Sequence, residues 1–413
     1  MRVLQVFLLM AVPLSAAEPD ALAIEANILA KHLPFGTILN PMINSSGTIF
    51  GYTRCGDSAI WTGHYLAAEA FRYRVTLAPD ALANVKTAIS GLTFLTDVTG
   101  INLLSRCAVP ANSPFAAGIT SEEAPNGIFQ ATINGQSWEW IGNTSRDQYI
   151  GAFFGMGAAY DLVNDAGVRA SIVSLATRLL DHLLGTAWTV VMPDGSISTT
   201  FVARPDEQLA LLQVGRHINP AEFNSPYSNE SALAITVPIP LAVDAANNQS
   251  SYFKFNLDFD DLYNLIRLED NSSNQSFYES GFKSVRNATA NHLNAHFNMI
   301  DRALHGANAA RDAETQADLD NWLKRPRLDV FVDWRGQIAS CGNANEACNP
   351  LPIIQRVPSD FLWQLDPYQL SGGGSGTIET AGIDYTLPYW MARYFGVIRE
   401  PLTLPHWHDV RKK

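Results

Sequence analysis

Apolar residues recur every three to four positions along most of the chain, which is the period of an amphipathic α-helix. Behind Asp57 and Ser58, either of which can cap a helix, Ile60, His64, Ala67, Ala68, Phe71 and Val75 keep that spacing and predict a helix over 57–76. Pro79 is a favoured first-turn proline, and Leu82, Val85, Ile89, Leu92, Leu95 and Val98 carry a second helix to Gly100. The two form a hairpin with a short turn. After a polar loop rich in Gly, Pro and Asn the pattern returns. Thr144 or Ser145 caps a helix to about Val163, and Val168 to Leu184 follows. Further helical patterns cover 205–217, 230–247, 257–268, 275–306 and 312–323. The last runs through Ile383, Leu387, Met391 and Tyr394, where Pro388 kinks the helix or marks its start.

Strand signals are few. Trp188–Met192 and Ile197–Val202 flank a Pro-Asp-Gly-Ser turn, and Ile128–Ile133 precedes the Gly135 turn and Trp138. Consecutive helical hairpins without βαβ alternation predict one large all-α domain over 18–413, with small β decorations.

Composition narrows the class. The 413 residues are 47% hydrophobic and 16% charged, enough for a large core. Charge is acidic, 28 Lys+Arg against 40 Asp+Glu for a net −12, and no basic run occurs. A nucleic-acid binder is excluded on that ground, and an anionic membrane surface is disfavoured. Met1, Arg2, the apolar stretch Val3–Leu14 and Ser15-Ala16-Ala17 read as a signal peptide over 1–17. That stretch is too short to cross a bilayer, and no later segment is a membrane span. Export suits the four cysteines. Cys341 and Cys348 flank a short polar loop and are expected to pair, which leaves Cys55 for Cys107. Neither pair has the CxxC or neighbouring His of a zinc site, and no metal or cofactor is expected.

Candidate chemistry gathers in three places. Arg54, Asp57, Trp61, His64 and Tyr65 surround the first helix start, and positions 57, 61, 64 and 65 share a face. A groove with a carboxylate and rings to stack on a sugar would use them; alternatively Asp57 caps the helix while the rings pack. Trp138, Trp140, Arg146, Asp147, Gln148 and Tyr149 surround the second start. Asp147 lies in a first turn, where the helix dipole favours a carboxylate and suits it to act as base or nucleophile. The third place holds Asp360, Trp363 and Gln364, then the glycine-rich 372–376, then Glu379, Asp384 and Trp390. The glycine run lacks a P-loop ending and is expected to be a mobile loop beside a site. Asp57, Asp147, Glu379 and Asp384 are the carboxylates expected to supply a general acid and base. His292 and His296 have the i, i+4 spacing of metal ligands, but no HExxH glutamate accompanies them, and they are expected to be surface histidines on a helix.

Over about residues 50–400 the hairpin architecture resembles the (α/α)6-toroid, or six-hairpin, superfamily of secreted carbohydrate-active proteins. The segments 55–65 and 144–149 look like the polar helix starts that face the cavity of such a toroid. The resemblance implies a fold and a carbohydrate partner and assigns no catalytic residue. With the carboxylates it leads to an exported glycoside hydrolase whose cavity is lined by Trp61, Tyr65, Trp140, Tyr149, Trp363 and Trp390. A polysaccharide lyase using Arg54, His64, Tyr65 and Arg146 is the alternative, as is a non-catalytic glycan-binding or cell-envelope protein.

Overall fold

In the computed structural model, which describes residues 16–247 and 251–399, the chain enters on helix α1 (Glu18–Asn27). Most of the signal-peptide pattern lies outside the described residues. A hairpin of β1 (Asn40–Ile43) and β2 (Ile49–Thr53) leads into α2 (Ser58–Thr76) and α3 (Pro79–Asp97), the first expected helical hairpin. Leu77 turns the chain at φ 54° before Pro79 opens α3. Next come β3 (Cys107–Pro110), the short α4 (Ala116–Glu122), β4 (Ile128–Ile133) and β5 (Gln136–Ile141), and the three strands pair antiparallel in the order β3-β5-β4. The second hairpin is α5 (Arg146–Leu162) and α6 (Ala166–Gly185). A two-stranded ribbon of β6 (Thr189–Val191) and β7 (Ile197–Thr200) precedes α7 (Pro205–Ile218), α8 (Pro220–Glu230) and α9 (Pro238–Ala246). Then follow α10 (Lys254–Leu268), α11 (Ser272–Ala288), α12 (Ala295–His305) and α13 (Ala309–Trp322). The chain closes on β8 (Leu328–Asp333), β9 (Ser371–Glu379) and α14 (Ile383–Tyr394).

Burial sorts ten of these helices into two sets. α2, α5, α7, α10 and α14 are buried over long uninterrupted runs, such as Gln148–Ala159 of α5, and α12 over its first turns. A helix buried all round belongs to an interior. α3, α6, α11 and α13 bury one face each. The buried helices touch in succession, α2 to α5, α5 to α7, α7 to α10, α10 to α12, α12 to α14, and α14 again to α2. The one-sided helices pack outside them, α3 on α2, α6 on α5, α11 on α10 and α13 on α12. One hydrophobic cluster draws on residues from Ala16 to Ile398. The protein is thus mostly helical, with three small sheets among the described residues.

Glycines set the closest of these contacts. A Cβ on Gly63 of α2 would overlap the Gly151 carbonyl of α5, and one on Gly155 would overlap the Gly63 carbonyl. Glycine costs helix stability, and here the close packing of α2 on α5 offsets that cost.

Three expectations change, and one alternative is decided. The 230–247 pattern is a 3-10 segment, Ser231–Thr236, followed by α9. The 275–306 pattern breaks into α11 and α12, where Asn294 accepts from the His296 and Phe297 amides and so caps a new helix. The glycine-rich run is not a loop; it lies in β9, between β1 and β8 in the order β2-β1-β9-β8. Gly373 (φ 103°) and Gly374 pass so close to β8 that a Cβ would strike Val330 or Asp329, which is why glycine is needed. Pro388 lies inside α14 rather than at its start.

Both disulfides are formed, Cys55–Cys107 and Cys341–Cys348. Among the described residues no helix is long and apolar enough to cross a membrane. Cys55 and Cys107 are 52 residues apart. Loop-closure entropy gives that link about 4 kcal/mol. The C55S/C107S double variant should lose about that much in equilibrium urea unfolding, against about 2–3 kcal/mol for C341S/C348S.

Candidate functional site

The starts of α2, α5 and α10 converge on one pocket of about 500 Å³. Asp57 immediately precedes α2, Ser145 precedes α5, Arg146 and Asp147 form the first turn of α5, and Phe253 and Leu257 come from the start of α10. Asp360 and Gln364 reach the pocket from the segment before β9, Thr199 comes from β7, and Arg106 from the residue before β3.

Arg106 holds the two acidic helix starts together. Its Nη1 donates to the Gly56 carbonyl (2.7 Å), its Nε to the Asn143 carbonyl (2.8 Å) and its Nη2 to Ser145 Oγ (2.7 Å). The same guanidinium is 3.9 Å from Asp57 Oδ1. The Cys55–Cys107 bond joins the residues beside Gly56 and Arg106, so the covalent link and the guanidinium fix the same corner. Ser145 Oγ in turn donates to Asp147 Oδ1, and Gln148 Nε2 donates to Oδ2 at 3.3 Å.

Asp57 occupies the N-cap position of α2, yet its side chain makes no capping hydrogen bond. Its carboxylate lines the pocket instead. Burial first, then the charges of Asp147 and Asp360, push Asp57 up to about 7, against the pull of Arg106 and Arg54. Burial likewise pushes Asp360 up to about 6, with Arg54 opposing it. Beneath the pocket Arg146 Nε pairs with Glu207 Oε2 (2.7 Å), and Arg204 pairs with Asp206, Glu207, Asp244 and Asp258.

The sequence-derived candidates divide sharply. Asp57, Asp147, Arg146, Asp360 and Gln364 share the pocket, and Arg54 lies near enough to act on both Asp57 and Asp360. The other two carboxylates lie elsewhere. Asp384 is buried at the start of α14, where it accepts from Trp322 Nε1 (2.9 Å) and the Leu362 amide (3.0 Å). Arg325 stands 3.6 Å from it. Glu379 ends β9 in a separate groove with Lys31 and Arg327. It pairs there with Lys31 (3.1 Å) and Arg327 (3.5 Å) and accepts from Asn27.

None of the expected aromatic residues lines the pocket. Trp61, Tyr65, Tyr149, Trp363 and Trp390 are fully buried, and Trp140 is 2% exposed. Trp61 Nε1 donates to Gln364 Oε1 (3.3 Å), Tyr149 Oη accepts from the Leu104 amide (3.3 Å), and Trp390 Nε1 donates to Glu25. Trp140 stacks on Phe129 and Trp363 on His64. Trp61, Tyr65, Tyr149 and Trp390 sit on helices buried nearly all round, Trp140 on β5 and Trp363 in the segment before β9, and all six fill the core. The aromatic group that lines the pocket is Phe253, 44% exposed. His64 is also interior. His292 and His296 are buried rather than superficial, and His292 precedes α12, held between the hydroxyls of Tyr252 and Tyr368 at 3.1 Å each.

Arg106, Thr199, Phe253 and Leu257 were missed. Only Arg106 carried a usable signal, its place beside a cysteine expected to pair with Cys55. No protein-family model, curated protein or solved structure matches the chain.

The ion cluster makes a separate prediction. Despite burial, His32, Arg327 and Lys31 together hold Glu379 down to about 2. A depressed carboxylate stabilises the fold above its unfolded value of about 4.5, and that stability is lost as pH falls toward 2. E379Q should therefore lower the thermal midpoint at pH 7, and the difference from wild type should shrink below pH 4. The pocket should be unaffected.

Proposed function

We propose that the protein is an exported glycoside hydrolase on an (α/α)6 toroid, with Asp57 as general acid and Asp147 as base or nucleophile. The closed succession of six interior helices, each of four backed by an amphipathic outer helix, supports the toroid reading. The signal-peptide pattern and the two disulfides support export to an oxidising compartment, secreted or periplasmic.

One observation carries the catalytic reading: an uncapped Asp57 shares its pocket with Asp147, and its surroundings keep it protonated to near neutral pH. Hydrolysis of a glycosidic bond needs one carboxylic acid that protonates the departing oxygen and one carboxylate across the bond. Asp57 fits the first role. Asp147, hydrogen-bonded by Ser145 and Gln148, fits the second. Arg106 keeps the two helix starts in register. A lyase is less well supported, because neither a Tyr nor a His lines the pocket to act as base.

The test is a screen of the purified protein on neutral and uronic polysaccharides, following new reducing ends and unsaturated-uronide absorbance together. Hydrolysis predicts reducing ends without unsaturation. Its kcat/KM should fall as pH rises through about 7, where Asp57 loses its proton. Both signals together would make it a lyase, and neither would favour the glycan-binding or envelope reading.

A further inference from the structure

Two turns beyond Asp57 on α2, His64 meets side chains from two other interior helices. Its Nε2 is 2.9 Å from Asp260 Oδ2 of α10, and the other oxygen of Asp260 is 3.1 Å from His296 Nε2 of α12. All three residues are buried, and their ligand atoms lie within 4.8 Å of one another. We propose that His64, Asp260 and His296 bind a zinc ion that pins α2, α10 and α12 beneath the pocket. The proposal does not rest on the hydrolase reading.

Hydrogen bonding orients the group toward a cation. His64 Nδ1 is 2.8 Å from the Ile60 carbonyl. A carbonyl only accepts, so Nδ1 carries the proton and the Nε2 position faces a carboxylate. That contact needs a proton, on the ring or on the carboxyl group, or a metal ion between the atoms. Zinc-bound histidines characteristically donate their remote N–H to a backbone carbonyl or carboxylate, as His64 does. His296 Nδ1 has no hydrogen-bond partner and favours neither filling.

Asn256 offers a fourth ligand. It lies one turn before Asp260, and its amide nitrogen is 3.2 Å from His64 Nε2. Its Oδ1 is buried and makes no hydrogen bond, and turning the amide over directs that oxygen to the same centre. Two imidazoles and one carboxylate are the three-ligand set zinc takes when its fourth position is left to another oxygen donor, here the Asn256 amide oxygen. Legs of about 2.1 Å put tetrahedral ligand atoms about 3.4 Å apart. The two rings face opposite oxygens of Asp260, so the carboxylate has to turn one oxygen toward the point between them, and ligand atoms now within 4.8 Å of one another have to settle around it.

The experiment uses the full chain, stripped with chelator and then titrated with Zn2+ or Co2+. The proposal expects one metal per chain by mass spectrometry, the visible bands of tetrahedral Co2+, and a higher thermal midpoint with Zn2+. H296A should lose the metal. H305A should keep it, because His305 belongs to a separate, partly exposed cluster with Asp301 and Glu279. If H296A does not fold, the wild-type stoichiometry, Co2+ spectrum and midpoint shift decide alone. A folded wild type that takes up no metal overturns the proposal and leaves a proton-bound His–Asp–His trio, as does binding lost in H305A but kept in H296A.

Discussion

D147N should lower kcat/KM on a natural glycan by about 100- to 10,000-fold, the range that positioned acid–base groups supply. D57N should do the same on that substrate, with a different signature. Replacing a general acid matters less when the departing group needs no proton, so D57N should recover much of its rate on an aryl glycoside with an acidic leaving group. D147N should recover less, since the role proposed for Asp147 lies on the other side of the bond. Steady-state kinetics on both substrates separate the two roles. Near-native rates in D147N would remove it from the chemistry. The local environment sets this assignment: Asp57 is pushed up to about 7 by burial and by two neighbouring carboxylates, while Arg106 and Arg54 limit the rise.

G63A should cost about 3 kcal/mol or more, the upper range for overpacking a core. The new methyl group has no direction in which to yield, because it meets the Gly151 backbone rather than a movable side chain. G155A should behave alike, since its Cβ would meet the Gly63 carbonyl. Gly118 in α4 has open space around its Cβ position and is the control; G118A should be neutral or stabilising. Chemical denaturation measures all three. A loss below about 1 kcal/mol in G63A would contradict the close approach of α2 and α5. The same change should reduce activity, because this contact sets the relation between Asp57 and Asp147.

What could be read from the sequence followed the range of each signal. Helices with one apolar stripe, such as α3 and α6, were legible because 3.6-residue periodicity is local. So were the turns at Gly135 and 193–196, and both disulfides. The four-stranded sheet was not, because its neighbours β1 and β9 lie more than three hundred residues apart, and glycine in β9 imitates a loop. Asp57 and Asp147 were legible as acidic helix starts, and the contact of α2 with α5 brings them together. Glu379 and Asp384 looked equivalent in sequence, but ion pairs with Lys31, Arg325 and Arg327 use them in the fold. Trp61, Tyr65, Tyr149 and Trp390 misled for a related reason: on a helix buried all round, an aromatic face points into the core whichever way it turns. Asp260 was invisible as a partner of His64, since 196 residues separate them.

The most direct test is a crystal structure of D147N soaked with an oligosaccharide on which the wild type is active. The proposed site predicts a sugar in the pocket between Asp57 and residue 147, with its glycosidic oxygen within hydrogen-bond reach of the Asp57 carboxyl group. A sugar bound instead in the groove of Lys31, Arg327 and Glu379, with the Asp57 pocket empty, would contradict it.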